Sequence, residues 1–512
     1  MAQRPVTYTQ PTKALARRTV LEHAVASLTT NRSRSALIRV DKLRTVLRYA
    51  IRFLVRHGFD ADRLDDFDAT FEQYLSYHRE GLGRRKPSEL KMLYLCGPEP
   101  LNDLKVLIDL GCRPQNIWAL EKDAGYFASA VAQLREAGAF IRVHHGSLHS
   151  FFAQFAGQFD LVYFDGCGPL PGGDPNTLTP LMSLFTHDRL ADLSALVTNF
   201  AEYPQEKEEV YVRLMAHYFA PRYNDVPRAL WSTDYDPALA PGDPGYSVPF
   251  IGAHAGAVYS DFVTRLISDV GRSLVPWAKI GSSAEVMRKF FSSAQADAST
   301  WKDSMIRRSA GAIPQDQPLL AFLESARDDQ RTGPIVDSLC TFQINGRPLL
   351  DAYRPAALLE RAYSENVDLA SPEMLAAIRT KWIDSKRQYF CDIPMPNLIF
   401  SMLAGVYGRP HFVNPAQSVR LSYTAKSTTM YSDALVFDRC RSFFDFIPSV
   451  ELLPAFFRSA SRQLLLRGCI DQIGWHDFSS DAGPFVASAL GGMGEHSAAY
   501  AREFPERTTL TA

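Results

Sequence analysis

The sequence predicts an α/β fold: a mostly parallel sheet with helices on both faces, preceded by a helical extension and followed by an α-rich module. Three observations predict it. Between Lys91 and Asp165 lie four apolar bursts of strand length, Lys91–Gly97, Asn116–Glu121, Phe140–Gly146 and Phe159–Asp165. The segments between them are long enough for the crossover helices that parallel strands require, and such sheets are covered on both faces. Each burst ends in a residue type that a nucleotide-shaped ligand uses, and ligands of these sheets sit outside the strand carboxyl ends.

Size and composition set the frame for these elements. At 512 residues the chain exceeds one ordinary core. Its 46% hydrophobic and 22% charged residues are ordinary for a globular protein and exclude a fibrous or disordered chain. No apolar run approaches the roughly 20 residues of a membrane helix, and the first residues lack a signal peptide's apolar stretch. The expectation is a cytoplasmic protein without membrane contact. Seven cysteines are scattered and never form a C-x-x-C pair, which argues against a zinc ribbon and a disulfide framework.

In chain order, residues to about Pro11 read as a tail, and Leu15 to Phe59 reads as helix. Leu37, Val40, Leu43, Leu47 and Ile51 recur at helical spacing, with Arg39, Lys42, Arg44, Arg48 and Arg52 on other faces. A helix from Phe67 to His78 leads to the basic turn Gly81–Pro87, closing a basic N-terminal region over 1–87. The α/β domain spans 88–291. Its fifth strand is Ala195–Phe200, its next helix Pro204–Pro221, and Gly256–Phe291 is helical again after an excursion from Tyr223 to Val248. A polar stretch, Ser292 to Gln317, separates an α-rich module over 318–512. That module has helices at Ala356–Tyr363, Met374–Tyr389 and Val450–Leu466, and a small β-hairpin from Ser418–Tyr423 and Ala434–Phe437.

The candidate site residues stand at the four strand ends. Leu95, Cys96 and Gly97 close the first strand, and a helix resumes after Asp103. Such a strand-to-helix turn offers backbone N–H groups and a positive helix end to a ligand. With one glycine, the turn lacks the dinucleotide fingerprint G-x-G-x-x-G. Glu121 ends the second strand, where a carboxylate can accept hydrogen bonds from two adjacent ribose hydroxyls; the alternative is a solvated acid capping the next helix. Gly146 and Ser147 follow the third strand and can face an adenine edge. The nearby His144, His145 and His149 lack an acid partner, and neighbouring strand residues point to opposite faces, so no metal site is expected. Asp165 ends the fourth strand before a Gly/Pro-rich loop, a way to project a side chain into a cleft. Asp165 is the first choice for a catalytic role.

Together these motifs resemble the class I S-adenosylmethionine-dependent methyltransferases, a Rossmann-like family, over roughly Ser88 to Phe200. The resemblance implies S-adenosylmethionine as cofactor. It implies Leu95, Cys96, Gly97 and Asp103 around the methionine part, Glu121 on the ribose, Gly146 and Ser147 beside the adenine, and Asp165 toward the cofactor or methyl acceptor. The sequence departs from the family in its glycine-poor first motif and in Ser147, where Asp is frequent. It also lacks the (Asn/Asp)-Pro-Pro-aromatic tetrad of amino-DNA methylation and the Pro-Cys nucleophile of the C5-cytosine type, since Cys167 lies between glycines.

For the acceptor, the basic helices and Arg84-Arg85-Lys86, with Tyr49, Phe53, Tyr74 and Tyr77 nearby, favour nucleic acid slightly. A solvated helix face is the plain alternative. The C-terminal module is a candidate surface for a protein partner. Two other functions stay open: a non-catalytic interaction or scaffold protein that keeps the Rossmann-like domain, and an NAD-dependent oxidoreductase, against which the missing glycines count.

Overall fold

The computed structural model describes residues 10–166, 168–172, 177–222, 244–290, 318–365, 370–379, 402, 404–476 and 504–511. The four apolar bursts form β1 (Met92–Leu95), β2 (Ile117–Glu121), β3 (Arg142–His145) and β4 (Phe159–Asp165), and the fifth strand, β5, runs from Leu190 to Ala201. All five are parallel, in the order β3-β2-β1-β4-β5. The chain therefore reverses its direction of travel across the sheet between β1 and β4, the switch point at which such sheets open a ligand crevice.

Beyond β5 the sheet continues with strands from the far end of the chain. A short antiparallel pair, β6 (Gln343–Ile344) and β7 (Arg347–Pro348), stands apart. β8 (Phe412–Val413), β9 (Val419–Ala425), β10 (Thr428–Asp438) and β11 (Thr508–Thr509) all join the main sheet. β10 lies antiparallel to β5, from Met430 opposite Ala201 to Asp438 opposite Leu193, and β9 pairs with β10. The hairpin expected inside a separate module over 318–512 is thus part of the same nine-stranded sheet. Its length explains the choice: an isolated two-stranded hairpin is marginal in water, and β5 otherwise presents an open edge.

Alternation along the strands divides the core in two. Leu93, Val162, Phe164 and Leu196 face one helical layer, whereas Met92, Tyr94, Leu161, Tyr163 and Val197 face the other. The second layer includes α1 (Pro11–Leu28), which buries Ala16, Val20, Leu21, Ala24, Val25 and Leu28 on it. Pro11 starts that helix, where its fixed φ costs nothing. The first helix of the basic region therefore belongs to the sheet. The expected continuous helix from Leu15 to Phe59 is also interrupted: α1 ends at Leu28, and α2 runs from Val40 to Arg56. Thr29, Thr30 and Asn31 stand at the break, residue types whose side chains compete for backbone groups.

A third apolar cluster joins α2 and α3 (Phe67–Leu82) to Phe443, Phe444, Leu464, Leu465 and Ile470. The helix read at Val450–Leu466 is split into short turns before Phe457 and a longer helix at Ala460–His476. Met374–Tyr389 is helical over Pro372–Arg379, and its remainder lies outside the described residues, as do Cys167, the polar stretch at 292–317 and most of the excursion after Tyr223. Among the described residues, no helix is long and apolar enough to cross a membrane.

Candidate functional site: a cleft at the strand carboxyl ends

Leu95, Cys96, Gly97, Asp103, Glu121, Gly146, Ser147 and Asp165 all line one cleft of about 1320 Å³. Their convergence follows from the parallel order, since β1 to β4 all end on the same side of the sheet. At the β1 end the chain turns through Gly97, whose φ of +54° is a left-handed conformation suited to glycine. A Cβ added there would meet nothing within 4 Å, so the backbone faces open space. Cys96 is buried, and burial pushes its thiol up to about 12, so it lines the cleft as a neutral group. The helix that follows, α4 (Leu101–Asp109), brings Asn102 and Asp103 to the wall.

Glu121 does not cap the next helix. That role falls to Asp123, whose carboxylate accepts from the Tyr126 N–H at 2.9 Å at the start of α5 (Ala124–Glu136). Glu121 Oε1 accepts from the Asp123 N–H at 2.8 Å, which fixes its rotamer at the rim of the cleft. Gly146 has φ +153° and donates its N–H to the Glu121 carbonyl at 2.9 Å. The Ser147 hydroxyl accepts from the Ser150 N–H at 3.1 Å as the cap of α6 (Leu148–Gln154), which accounts for serine at this position. The three histidines diverge: His144 packs on Phe151, His145 stacks on Phe127, and His149 bonds Ser183.

The sequence reading missed the residues that control the acids. Lys13 Nζ lies 3.0 Å from Asp165 Oδ2, and Arg17 Nε lies 2.5 Å from Asp103 Oδ1 in a close ion pair. Both cations come from the first turns of α1, where the helix dipole disfavours positive charge. Their placement is explained by the acids they meet. Burial pushes the Asp103 carboxyl up to about 7, with Arg17 pulling the other way, while Asp103 helps keep the Arg17 guanidinium charged. Asn199 Nδ2 donates to Asp165 Oδ1 at 2.7 Å, and the Tyr423 hydroxyl donates to Asn199 Oδ1 at 3.1 Å. Of these, only Lys13, a cation in the acid-free first turn of α1, gave a sequence signal.

The cleft is also lined by Glu202 and Tyr203 after β5 and by the Lys426-Ser427 turn of the β9-β10 hairpin. The basic helices from which nucleic-acid binding was expected lie away from this cleft. Leu37 N–H donates to Asp438 at the amino end of β5, so α2 and α3 enter the fold at the end of the sheet opposite the cleft. Tyr74 is fully buried with its hydroxyl near Ser442 and is closed to base stacking.

No protein-family model matches the chain, and no curated protein does. Similar solved structures include a chain described as a methyltransferase, yhhF, from Escherichia coli (14% identity, 26% of this chain and 68% of that one, TM-score 0.20). They also include an S-adenosylmethionine-dependent methyltransferase from Clostridium acetobutylicum, of which the match spans only 61% (15% identity, 37% of this chain, TM-score 0.18). A third is the plantazolicin methyltransferase BamL in complex with a triazolic analogue and SAH (11% identity, 50% of this chain and 75% of that one, TM-score 0.21). At these TM-scores the likenesses carry no argument; the fold rests on the strand order and registers described above.

Proposed function

We propose that the chain is an S-adenosylmethionine-dependent methyltransferase whose cofactor lies across the ends of β1, β2 and β3. The observation that carries this reading is the convergence of the Gly97 turn, Glu121 and the Gly146-Ser147 turn in one cleft, beside the switch point. The residues suit an adenosyl group. Gly97 presents open backbone, Glu121 presents a held carboxylate for ribose hydroxyls, and Gly146 and Ser147 flank the space beyond it. The cleft exceeds the roughly 300 to 1,000 Å³ of a common small-molecule site, so a cofactor and an acceptor can share it.

Topology weighs against a dinucleotide. Dinucleotide sheets repeat the mononucleotide-binding half as further parallel strands. Here β4 and β5 are parallel, but the position after β5 is taken by antiparallel β10, so the last strand of that second half is replaced. When bound, S-adenosylmethionine supplies a methyl group already activated on a sulfonium. The chain then has to align an acceptor with it, and alignment can supply roughly 7 to 11 kcal/mol of a barrier. Asp165, which lines the same cleft as the Gly97 turn and Glu202, is the residue we assign to orient that acceptor.

Thermal shift and calorimetry test the reading. S-adenosylmethionine and S-adenosylhomocysteine are expected to raise the melting temperature by mass action, and NAD to leave it unchanged. Glu121→Ala removes charge-assisted hydrogen bonds and is expected to weaken both ligands by about tenfold to a hundredfold. Stabilisation by NAD with no response to either adenosyl ligand overturns the proposal.

A further inference from the structure

Asp165 is held from two sides by parts of the chain far away in sequence. Its Oδ2 meets Lys13 from α1, and its Oδ1 accepts from Asn199, which stands directly opposite it in the β4-β5 register. Asn199 is 0% exposed and Tyr423 2%, so water does not compete for the bond between them. That bond sets which way the Asn199 amide faces. With its carbonyl taken by the Tyr423 hydroxyl, the amide must turn its N–H₂ to Asp165; the flipped amide would set oxygen against carboxylate. A cation and an amide donor on the carboxylate both stabilise its ionised form.

We propose that Lys13, Asn199 and Tyr423 form a clamp that keeps Asp165 ionised and fixed, so that the methyl acceptor is a nitrogen donating an N–H to it rather than a hydroxyl it must deprotonate. The proposal rests on the methyltransferase reading of the same cleft. An ionised carboxylate has about four acceptor sites, so a substrate N–H can join the partners that Asp165 already has. A carboxylate so stabilised is a weak base for an alcohol, and its charge repels a carboxylate acceptor. A neutral amine needs no base before attack. Its lone pair forms the new N–C bond as the S–C bond breaks, the S–C electron pair passes to sulfur, and the surplus ammonium proton leaves to water in the open cleft. Asn199, Tyr423 and Lys13 act through Asp165 and are positioning residues.

The test uses two probes on the full chain: S-adenosylhomocysteine, and sinefungin, which carries a protonated amine where the sulfonium methyl projects. Calorimetry is expected to show sinefungin bound about tenfold or more tighter, as a charge-assisted bond of at least about 1.4 kcal/mol requires. Asp165→Asn is expected to abolish this preference, and Asn199→Ala and Tyr423→Phe to reduce it. Affinity for S-adenosylhomocysteine, retained by Asn199→Ala and Tyr423→Phe, shows that the fold survives in the two variants that test the clamp. Equal binding of the two probes by the wild-type chain overturns the clamp, as does a preference untouched by Asn199→Ala and Tyr423→Phe. If neither probe binds, the methyltransferase reading falls and the clamp with it.

Discussion

Asp103 shows how burial and pairing compete at one residue. Its carboxyl, pushed up to about 7 by burial, binds a proton more tightly in the folded chain than in the unfolded one. The folded state therefore holds the extra proton between about pH 4 and 7, and stability is lost as pH rises through that window. Asp438, pushed up to about 6 by burial, acts in the same direction. Asp103→Asn keeps an oxygen for Arg17 and removes the titration. Between pH 7 and 5, wild type is expected to gain stability over this variant by up to about 1.4 kcal/mol per pH unit. Urea unfolding at both pH values measures the difference; parallel behaviour of the two chains would refute it. At this scale the strand-end residues Gly97, Glu121 and Asp165 were legible because strand ends announce themselves in an alternating sequence. Asn199 and Tyr423 were not, and Lys13 was only as a cation in an acid-free turn, because Lys13 and Asn199 take their meaning from Asp165, Tyr423 takes its from Asn199, and the three stand on separate elements.

At the scale of elements, the β9-β10 hairpin shows what a local pattern can and cannot say. The alternation of Val419 to Tyr423 and Ala434 to Phe437 marked a hairpin, but nothing local names the strand it will join. The antiparallel bonding to β5 crosses more than two hundred residues of chain and is set by the open edge waiting there. The turn itself was less legible, because Lys426 and Ser427 both hold positive φ, 49° and 69°, where Asn-Gly is the usual choice. A side chain in this left-handed region costs about 1 to 2 kcal/mol. Ser427→Gly removes one such cost and is expected to stabilise the protein by roughly 1 kcal/mol, less the entropy glycine regains when unfolded. Chemical denaturation would register the gain as a higher midpoint at unchanged slope; a lower midpoint would mean that Ser427 supports the turn.

For the molecule as a whole, the division into 1–87, 88–291 and 318–512 that composition suggested does not match how the core is shared. β5 belongs to the middle segment, its neighbour β10 to the last, and α1, which covers both, to the first. Gly468 shows the same fusion in another core: a Cβ there would come within 2.7 Å of Leu47, so the Ala460–His476 helix and α2 pack at glycine distance. Cutting out 88–291 would expose the β5 edge along nine paired residues and strip the apolar face that α1 covers. An edge of that length and character pairs with other chains instead. The full chain is therefore expected to melt in one dominant calorimetric transition, with calorimetric and van't Hoff enthalpies in agreement. The 88–291 fragment is expected to aggregate or to melt without cooperativity. A soluble fragment that melts sharply and binds S-adenosylhomocysteine as the full chain does would show that the terminal segments are additions to a self-sufficient domain. The outcome bears on the site as well, because Lys13 and Tyr423 lie outside that fragment, so Asp165 would keep only Asn199 of its clamp.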